Sequence, residues 1–356
     1  MAKEINVQLA ETKKTKPKGE LDFGTIFTDH MFIMDYDKGQ GWHDPRIVPY
    51  EPLTLDPAAI IFHYGQTIFE GLKAYITEDG TVQLFRPEKN FERLNNSSKR
   101  MSIPQIDEDF ALDALKQLVA LEKDWIPTDE GTSLYIRPYI IATQPYLGVA
   151  PSTQYKFMII LSPVGSYYKE GINPVKIAVE NEYVRAVVGG TGEAKTAGNY
   201  ASSLIAEQLM SKGGYAQVLW LDAVKKKYIE EVGSMNVFFK INGEVITPKL
   251  NGSILPGVTR SSVIQLLKHW NIPIIERTIS MAEIAEAHEN GTLEETFGTG
   301  TAAVISPVGQ LTWGDTDYII NDGNTGEIAK KLYDTLTSIQ YGKMADPFDW
   351  IVKVTE

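Results

Sequence analysis

The chain has 356 residues, of which 43% are hydrophobic and 22% charged, so it can bury the core of one large domain or of two smaller ones. Its formal net charge of -12 argues against a nucleic-acid partner, and the absence of cysteine excludes disulfides, thiolate metal sites and a cysteine nucleophile. The five histidines lack the i, i+4 spacing of a helical zinc site, so we predict no metal.

The first 20 residues mix lysine with glutamate and contain no apolar run. They have neither the hydrophobic stretch of a signal peptide nor the length and apolarity of a membrane span. We therefore expect a polar, mobile lead-in to a cytoplasmic protein that has no membrane partner.

Strand and helix patterns then alternate up to residue 168. Strands are predicted for IFTDHMFIMDYD and for both halves of EGLKAYITEDGTVQLFRP, which Asp79-Gly80 joins as a hairpin. Helices are predicted for PEKNFERLNNSSKRM and DEDFALDALKQLVALEKDW, because their apolar residues recur at helical spacing. SLYIRPYIIAT and YKFMIILSPV follow as two buried strands.

The stretch GSYYKEGINP is rich in glycine and tyrosine and ends in proline, which is typical of a linker. We therefore predict a smaller N-terminal α/β domain over residues 1–168, a linker over 169–182 and a larger domain over 183–356. In the second half, the strands VKIAVE, QVLWLDAV and VFFKINGEVITP alternate irregularly with helices that begin near Gly257, Met281 and Thr325. This irregularity favours a mixed α and β fold over a doubly wound sheet.

Glycines and small residues crowd around polar groups in three segments, Gly189–Tyr200, Leu255–Arg260 and Phe297–Ala303. A glycine loop that opens a helix points backbone N–H groups outward, where the helix dipole favours an anion. The second and third segments could hold a phosphate in this way, although each is also explained as a turn with glycine at positive φ. The P-loop and dinucleotide fingerprints are both absent, so ATP and NAD are poor candidates.

Lys195 lies in the first segment among very small neighbours, which would leave room for a bulky aromatic cofactor beside its amine. Glu231, in EEVGSMNVFF, could keep a pyridinium nitrogen protonated. A lysine, a phosphate cradle and such an acid together suggest pyridoxal phosphate. Taken alone, Lys195 is more typical of a solvated surface residue, and Glu231 of a solvent-facing carboxylate near a strand end.

From about Phe23 onward, the sequence resembles the class IV aminotransferases, and most closely the branched-chain amino-acid aminotransferases. The class signature is matched by Glu231-Val-Gly-Ser-Met-Asn236, by Thr247 and by Leu255-Pro-Gly-Val-Thr-Arg260. Three further anchors are Asn90–Leu94, Ser133–Pro138 and Lys195–Tyr200. The resemblance implies a two-domain class IV fold for pyridoxal-phosphate enzymes, with a smaller N-terminal α/β domain and a larger pseudo-barrel C-terminal domain.

The resemblance also implies pyridoxal 5′-phosphate as the cofactor. Lys195 would carry it covalently and then act as acid and base in the proton transfer. Glu231 would pair with the pyridine nitrogen, and Tyr200 would contact the ring oxygen. The cofactor phosphate would be bound by Arg93, by Arg185 and by the backbone N–H groups of Val258, Thr259 and Thr301.

On the substrate side, the resemblance assigns the α-carboxylate to Tyr135 and to the Thr301–Ala302 amides. It assigns the side-chain carboxylate of glutamate to Arg137. The apolar pocket would be lined by Phe69 and, from a neighbouring subunit, by Tyr64, Leu147 and Val149. The implied enzyme is a homodimer with shared active sites that exchanges amino groups between L-leucine, L-isoleucine or L-valine and 2-oxoglutarate by a ping-pong mechanism.

Other functions stay open at this stage. The nearest alternative is a D-amino-acid aminotransferase or an aminodeoxychorismate lyase of the same class, although Tyr135-Ile-Arg137 and the Gly189-Gly-Thr-Gly run favour the branched-chain enzyme. A non-catalytic phosphate- or nucleotide-binding protein would also explain the glycine segments. Considered on its own, Arg93 is also explained as a surface cation. Tyr135 and Arg137 are likewise explained as a cross-strand pair.

Overall fold

The computed structural model of the chain describes residues 4–167 and 172–354. These residues cluster into two compact units. The first unit takes the chain up to Tyr167 and two later segments, Ala194–Ala197 and the chain from Ser338 onward, and the second unit takes the rest. Each unit has its own hydrophobic core, as expected of a domain.

These units differ from the predicted domain boundaries, which stay a prediction. The predicted linker contains a strand at Val175–Val179, and its residues 169–171 lie outside the described part of the chain. Lys195 and the chain after Ser338 were predicted in the second domain but cluster with the first unit. Backbone pairing, rather than chain order, decides which core these segments join.

The first unit alternates strands and helices up to residue 167. Asp79-Gly80 joins two of its strands in a tight turn, with Gly80 at a φ of +82°, as predicted. Asp107 caps one helix by accepting a hydrogen bond from the Phe110 N–H at 3.0 Å. In chain order, the elements are β1 (Asn6–Val7), β2 (His30–Asp37), β3 (Gly41–Pro49), α1 (Ile60–Tyr64), β4 (Thr67–Phe69), β5 (Leu72–Ile76), β6 (Val82–Phe85), α2 (Pro87–Arg100), α3 (Glu108–Leu121), a 3-10 turn (Lys123–Trp125), β7 (Ser133–Ala142) and β8 (Gln154–Val164).

The remaining elements belong mostly to the second unit. Three of its helices begin at or within two residues of the predicted Gly257, Met281 and Thr325, whereas α4 and α5 were not predicted. In chain order, they are β9 (Val175–Val179), α4 (Ala197–Ala201), α5 (Leu204–Lys212), β10 (Gln217–Leu221), β11 (Ile229–Val232), β12 (Asn236–Ile241), β13 (Glu244–Pro248), α6 (Val258–His269), β14 (Ile274–Arg277), α7 (Met281–Glu289), β15 (Leu293–Gly300), β16 (Val304–Trp313), β17 (Thr316–Ile319), a 3-10 turn (Asn321–Gly323) and α8 (Glu327–Gln340). Strand β18 (Ile351–Lys353) follows and pairs in the sheet of the first unit.

The sheet of the first unit runs in the order β1-β3-β2-β8-β7-β5-β6-β18, with β4 also paired to β7. Along β7, Leu134 and Ile136 belong to the hydrophobic core that α2 and α3 share. Successive side chains of a strand point to opposite faces. Tyr135 and Arg137 therefore lie on the face of β7 opposite this core.

The sheet of the second unit runs in the order β11-β10-β9-β16-β15-β12-β13-β14, with β17 on β16. It mixes parallel pairs, such as β9 with β10, and antiparallel pairs, such as β12 with β15. A bridge between Val232 and Met235 also links β11 to the start of β12, so the sheet curls around its apolar core. The predicted mixed α and β class is confirmed.

Several strands escaped the sequence prediction, among them β3 and β15. Strand β3 contains a proline and charged residues, yet it pairs with β1 and β2, because backbone hydrogen bonding needs no apolar pattern. The third glycine segment does not open a helix, and its suggested role in holding a phosphate stays a prediction. Phe297–Gly300 forms the end of β15, and a turn at Thr301–Ala303 leads into β16.

The described part of the predicted lead-in has fixed contacts. Strand β1 pairs with β3, the Ala10 N–H donates to His30 Nε2 at 2.8 Å, and the Lys14 N–H donates to Asp29 Oδ1 at 2.7 Å. Across residues 4–167 and 172–354, no helix combines the length and apolarity needed to cross a bilayer. The same residues contain no cluster of acidic and histidine side chains suited to a metal ion.

Candidate active site

Lys195 is held by its backbone on both sides. Its N–H donates to Ser97 Oγ at 2.9 Å, and its carbonyl accepts from the Phe69 N–H at 3.0 Å. The next residue, Thr196, donates from its hydroxyl to the Thr67 carbonyl at 2.7 Å. The half-buried lysine places its Nζ 4.7 Å from the centre of the Phe69 ring. Its amine therefore emerges from a fixed backbone position, as a covalent cofactor anchor requires.

Tyr135 and Arg137 form one polar group on β7. Arg137 Nη2 donates to the Tyr135 hydroxyl at 3.1 Å, and the guanidinium carbon lies 4.7 Å from the centre of the Phe69 ring. A Cβ on Gly71 would lie 2.1 Å from the Tyr135 hydroxyl, so only glycine leaves room there. The structure thus brings together three of the residues that the sequence assigned to substrate.

Two neighbours of this group were missed by the sequence analysis. Phe23 packs edge-on against Tyr135, with ring centres 4.7 Å apart. Lys73 lies directly opposite Tyr135 in the β5–β7 register, and its burial lowers the pKa of its amine to about 8. Neither residue stands out in the sequence, because both only acquire these neighbours through pairing and packing over long distances along the chain.

Arg93 lies on α2 and is buried, so the surface-cation interpretation of this residue is wrong. Its Nε and Nη2 donate to the two carboxylate oxygens of Glu70 at 2.7 and 2.8 Å. Glu70 itself was not singled out from the sequence, since an isolated acid between two strands carries no recognisable pattern. The assignment of Arg93 to a phosphate stays a prediction.

In the second unit, Glu231 is a buried carboxylate on β11, only 2% exposed, so the solvent-facing interpretation is wrong. Its Oε1 accepts the Leu255 N–H at 2.6 Å, and its Oε2 lies 3.1 Å from Arg185 Nε. The buried carboxylate is therefore stabilised by one backbone hydrogen bond and by an ion pair with a guanidinium. The position suits an acid that is to act on a ring nitrogen.

Arg185 was predicted to help bind the phosphate, and this also stays a prediction. The structure places its guanidinium on Glu231 and on the backbone carbonyls of Gly192, at 3.2 Å, and of Ser253. A Cβ on Gly192 would lie 2.2 Å from the Ser253 carbonyl oxygen. Arg185 thus joins Glu231, the first glycine segment and the loop before α6.

The two halves of the class signature meet at Leu255. Asn236 Nδ2 donates to the Leu255 carbonyl at 2.9 Å, while Glu231 accepts the N–H of the same residue. A Cβ on Gly257 would lie 2.1 Å from Asn236 Oδ1, which explains the glycine. Thr247 is fully buried and donates to the Val237 carbonyl at 2.8 Å. The signature residues therefore shape one loop, which leads directly into α6.

Helix α6 begins at Val258 after Gly257, and no side chain in the described part of the protein caps its first turn. Val258 and Thr259 therefore present the first backbone N–H groups of a 12-residue helix, where an anion is favoured. The Thr299 hydroxyl on β15 is buried, and among the described residues it has no hydrogen-bond partner. Such groups suit a ligand with several acceptor oxygens.

The remaining second-unit candidates lie in short connecting segments. Tyr200 is half-buried in α4, which is tied to the first glycine segment by two hydrogen bonds between Thr191 and Asn199, each of 2.8 Å. Thr301 and Ala302 are half-buried in the turn between β15 and β16. Their backbone amides are thus held by a hairpin rather than by a helix.

Tyr64, Leu147 and Val149 form an exposed apolar surface on the first unit. The Tyr64 hydroxyl donates to the Leu147 carbonyl, so α1 and the loop after β7 are joined. Leu147 is 63% exposed and Val149 85% exposed. Large apolar side chains exposed together in this way are typical of a surface that another molecule covers.

Comparison with known proteins identifies the family. A family model described as amino-transferase class IV matches residues 67–311. The chain is 68% identical over 351 residues to branched-chain-amino-acid aminotransferase 2 of Bacillus subtilis (strain 168), and the match covers 98% of this chain and 97% of that one.

Solved structures of branched-chain amino acid aminotransferases share the fold of this chain. The branched-chain amino acid aminotransferase of Escherichia coli matches with a TM-score of 0.77 and 26% identity, over 92% of this chain and 99% of that one. The T.th. branched-chain amino acid aminotransferase with pyridoxamine 5′-phosphate matches with a TM-score of 0.75 and 25% identity, over 90% of this chain and 98% of that one. The class IV fold is thereby confirmed. The chain belongs to the class IV aminotransferases and, within them, to the branched-chain-amino-acid aminotransferases.

Proposed function

We propose that this enzyme transfers the amino group of L-leucine, L-isoleucine or L-valine to 2-oxoglutarate, using pyridoxal 5′-phosphate attached to Lys195. The main support is the burial of Glu231, whose carboxylate accepts the Leu255 N–H and forms an ion pair with Arg185, on the strand where the class signature begins. A buried acid of this kind, together with a lysine whose backbone is fixed, fits this cofactor better than a nucleotide.

The donors in the chain fit the cofactor. The first turn of α6, at Val258 and Thr259, suits a phosphate, as do Arg93 and the Thr299 hydroxyl, which has no hydrogen-bond partner among residues 4–167 and 172–354. Glu231 suits the ring nitrogen, and Tyr200 the ring oxygen. A relative with this fold is described with pyridoxamine 5′-phosphate, the amino form of the same group.

When bound, pyridoxal phosphate supplies the electron sink for breaking the substrate's α C–H bond. Lys195 Nζ takes and returns the proton at that carbon, because a lysine amine is both a base and an acid. Tyr135 and the Thr301–Ala302 amides hold the α-carboxylate. Arg137 pairs with the second carboxylate of 2-oxoglutarate, and Phe69 contacts the aliphatic side chains.

We further propose that the active unit is a homodimer with shared active sites. The exposed surface of Tyr64, Leu147 and Val149 supports this, because these are the residues that the resemblance assigns to a neighbouring subunit's pocket. A closed two-fold dimer would cover the surface on both copies.

The test is a survey of amino donors with 2-oxoglutarate, followed by absorbance spectra. We expect a yellow protein that loses its visible band on borohydride treatment, with turnover of L-leucine and formation of glutamate. Turnover of D-alanine without L-leucine would favour a D-amino-acid aminotransferase. A colourless protein that binds no pyridoxal phosphate would overturn the proposal.

A further inference from the structure

Glu70 is a fully buried acid of the first unit with a complete set of hydrogen bonds. It lies between β4 and β5 and has no role in the function proposed above. Its two oxygens accept from Arg93 Nε at 2.7 Å, Arg93 Nη2 at 2.8 Å, Asn90 Nδ2 at 2.8 Å and the Gly71 N–H at 3.2 Å. A carboxylate buried in this way is stable only while its donors stay in place.

The geometry fixes the plane of the Arg93 guanidinium. Glu70 takes the edge made by Nε and Nη2, in a bidentate pair that removes the rotational freedom of the side chain. Asn90 and Arg93 are three residues apart on α2, so both reach the same carboxylate from one helix face. The second edge of a guanidinium, made by its two Nη groups, is the one that can also bind a phosphate bidentately.

We propose that Glu70 is a positioning residue for the cofactor phosphate, which it serves by orienting Arg93. The inference rests on the proposed function, in which Arg93 binds that phosphate. A carboxylate near a phosphate also repels it. Because Glu70 has four hydrogen-bond donors and is paired with a guanidinium, we infer that the ordering of Arg93 outweighs this repulsion.

The test compares two ligands that differ only in the phosphate, pyridoxamine 5′-phosphate and pyridoxamine, neither of which can bond covalently to Lys195. For the apoprotein, the dissociation constant of pyridoxamine divided by that of pyridoxamine 5′-phosphate measures how much the phosphate contributes to binding. In Glu70→Gln, whose amide cannot accept both guanidinium bonds, we expect the ratio to fall at least about tenfold. The dissociation constant of pyridoxamine itself should change by less than about threefold.

Glu122→Gln is the matched control. Glu122 is an equally buried acid of the same unit, paired with His30 and not with Arg93. It should destabilise the fold comparably and leave the ratio unchanged. In an Arg93→Met background, Glu70→Gln should have no further effect on the ratio, because the two residues act through one contact.

An unchanged or increased ratio in folded Glu70→Gln would overturn the inference. If that variant does not fold, Asn90→Ala, which removes one donor from Glu70, should lower the ratio about two- to fivefold. No change there would equally overturn it. Equal binding of the two ligands by the unaltered protein would instead refute the phosphate site of the proposed function.

Discussion

The two units orient their candidate site residues by different means. In the first unit, side chains hold side chains: Glu70 holds Arg93, and the Phe69 ring lies against both Arg137 and Lys195. In the second unit, backbone groups do most of this work. The Leu255 N–H holds Glu231, and Arg185 donates to two carbonyls of neighbouring loops.

This difference predicts how each unit responds to substitution. A side chain held by another side chain loses its orientation when either partner is replaced, so effects in the first unit should be coupled in pairs. A side chain held by backbone groups keeps those donors whatever the neighbouring residues are. Apart from the ion pair between Glu231 and Arg185, second-unit residues should therefore behave as independent sites, provided that glycines such as Gly257 keep the loops close.

The largest effect on turnover is expected at Lys195. Because its backbone is held by fixed contacts, its side chain can be removed without disturbing the fold. Lys195→Ala keeps the bonds to Ser97 and Phe69, because these involve backbone atoms of residue 195. We expect turnover of leucine to fall more than about 10⁴-fold, since no neighbour can replace the amine. The melting temperature should be nearly unchanged. Near-normal turnover would refute the assignment of the cofactor lysine.

The next largest effect on turnover is expected at Glu231, the acid that accepts a hydrogen bond from the Leu255 N–H. Glu231→Gln should lower kcat at least about tenfold with little change in cofactor affinity, because an amide cannot hold a ring nitrogen protonated. The control is Glu230→Gln, since Glu230 is equally buried and bonds to Ser253 and Asn251 instead. Equal losses in the two variants would show that burial, rather than contact with the ring, explains the effect.

Arg137→Met tests the coupling within the first unit. The catalytic efficiency, kcat/KM, for 2-oxoglutarate should fall by about 2–4 kcal/mol in transition-state free energy, the loss of a charge-assisted pair in a partly dry site. For leucine the loss should be below about 1 kcal/mol, because leucine contacts only the aliphatic stem. Each half-reaction is measured separately.

Tyr135→Phe is the companion to Arg137→Met, because Arg137 donates to the Tyr135 hydroxyl. This substitution should lower kcat/KM for leucine and for 2-oxoglutarate alike, since both substrates carry an α-carboxylate. If Arg137→Met also weakens both substrates equally, its role is to hold Tyr135 rather than to choose the substrate.

The last effect is on stability rather than on turnover, and it concerns Lys73, a buried cation of the first unit whose pKa is lowered to about 8 by burial. Below that pH the folded state holds a charge that burial disfavours, whereas the unfolded state keeps its proton up to the ordinary pKa of 10.5. The unfolded state therefore binds more protons between pH 8 and 10.5, and stability rises with pH there. We expect this rise to be about 3 kcal/mol, since the two pKa values lie about 2.5 apart and one pKa unit corresponds to about 1.4 kcal/mol.

Denaturant unfolding at several pH values measures this contribution. In Lys73→Met the rise between pH 8 and 10.5 should disappear, because the titrating group is gone. The exposed, ion-paired Lys330 provides the control, and Lys330→Met should leave the rise intact. An unaltered pH profile in Lys73→Met would show that other groups cause the rise.

The sequence by itself determined the family and the class signature and predicted the cofactor lysine, because all three depend on residue types at fixed spacing. Glu231, Asn236 and Gly257 could be recognised before their contacts with Leu255 or with each other were known. The starts of the longer helices α2, α3, α6 and α8 were equally readable, since glycine, proline and apolar spacing act locally.

Only the tertiary structure decided the partners of the side chains in the first unit. Glu70 meets Arg93, Lys73 meets Tyr135, and Phe23 packs on the same tyrosine, across separations of 23, 62 and 112 residues. Such contacts depend on strand register and helix docking, which a local pattern does not encode. The end of β15 shows the same limit: Phe297–Gly300 has a loop-like composition, and pairing with β12 and β16 makes it a strand.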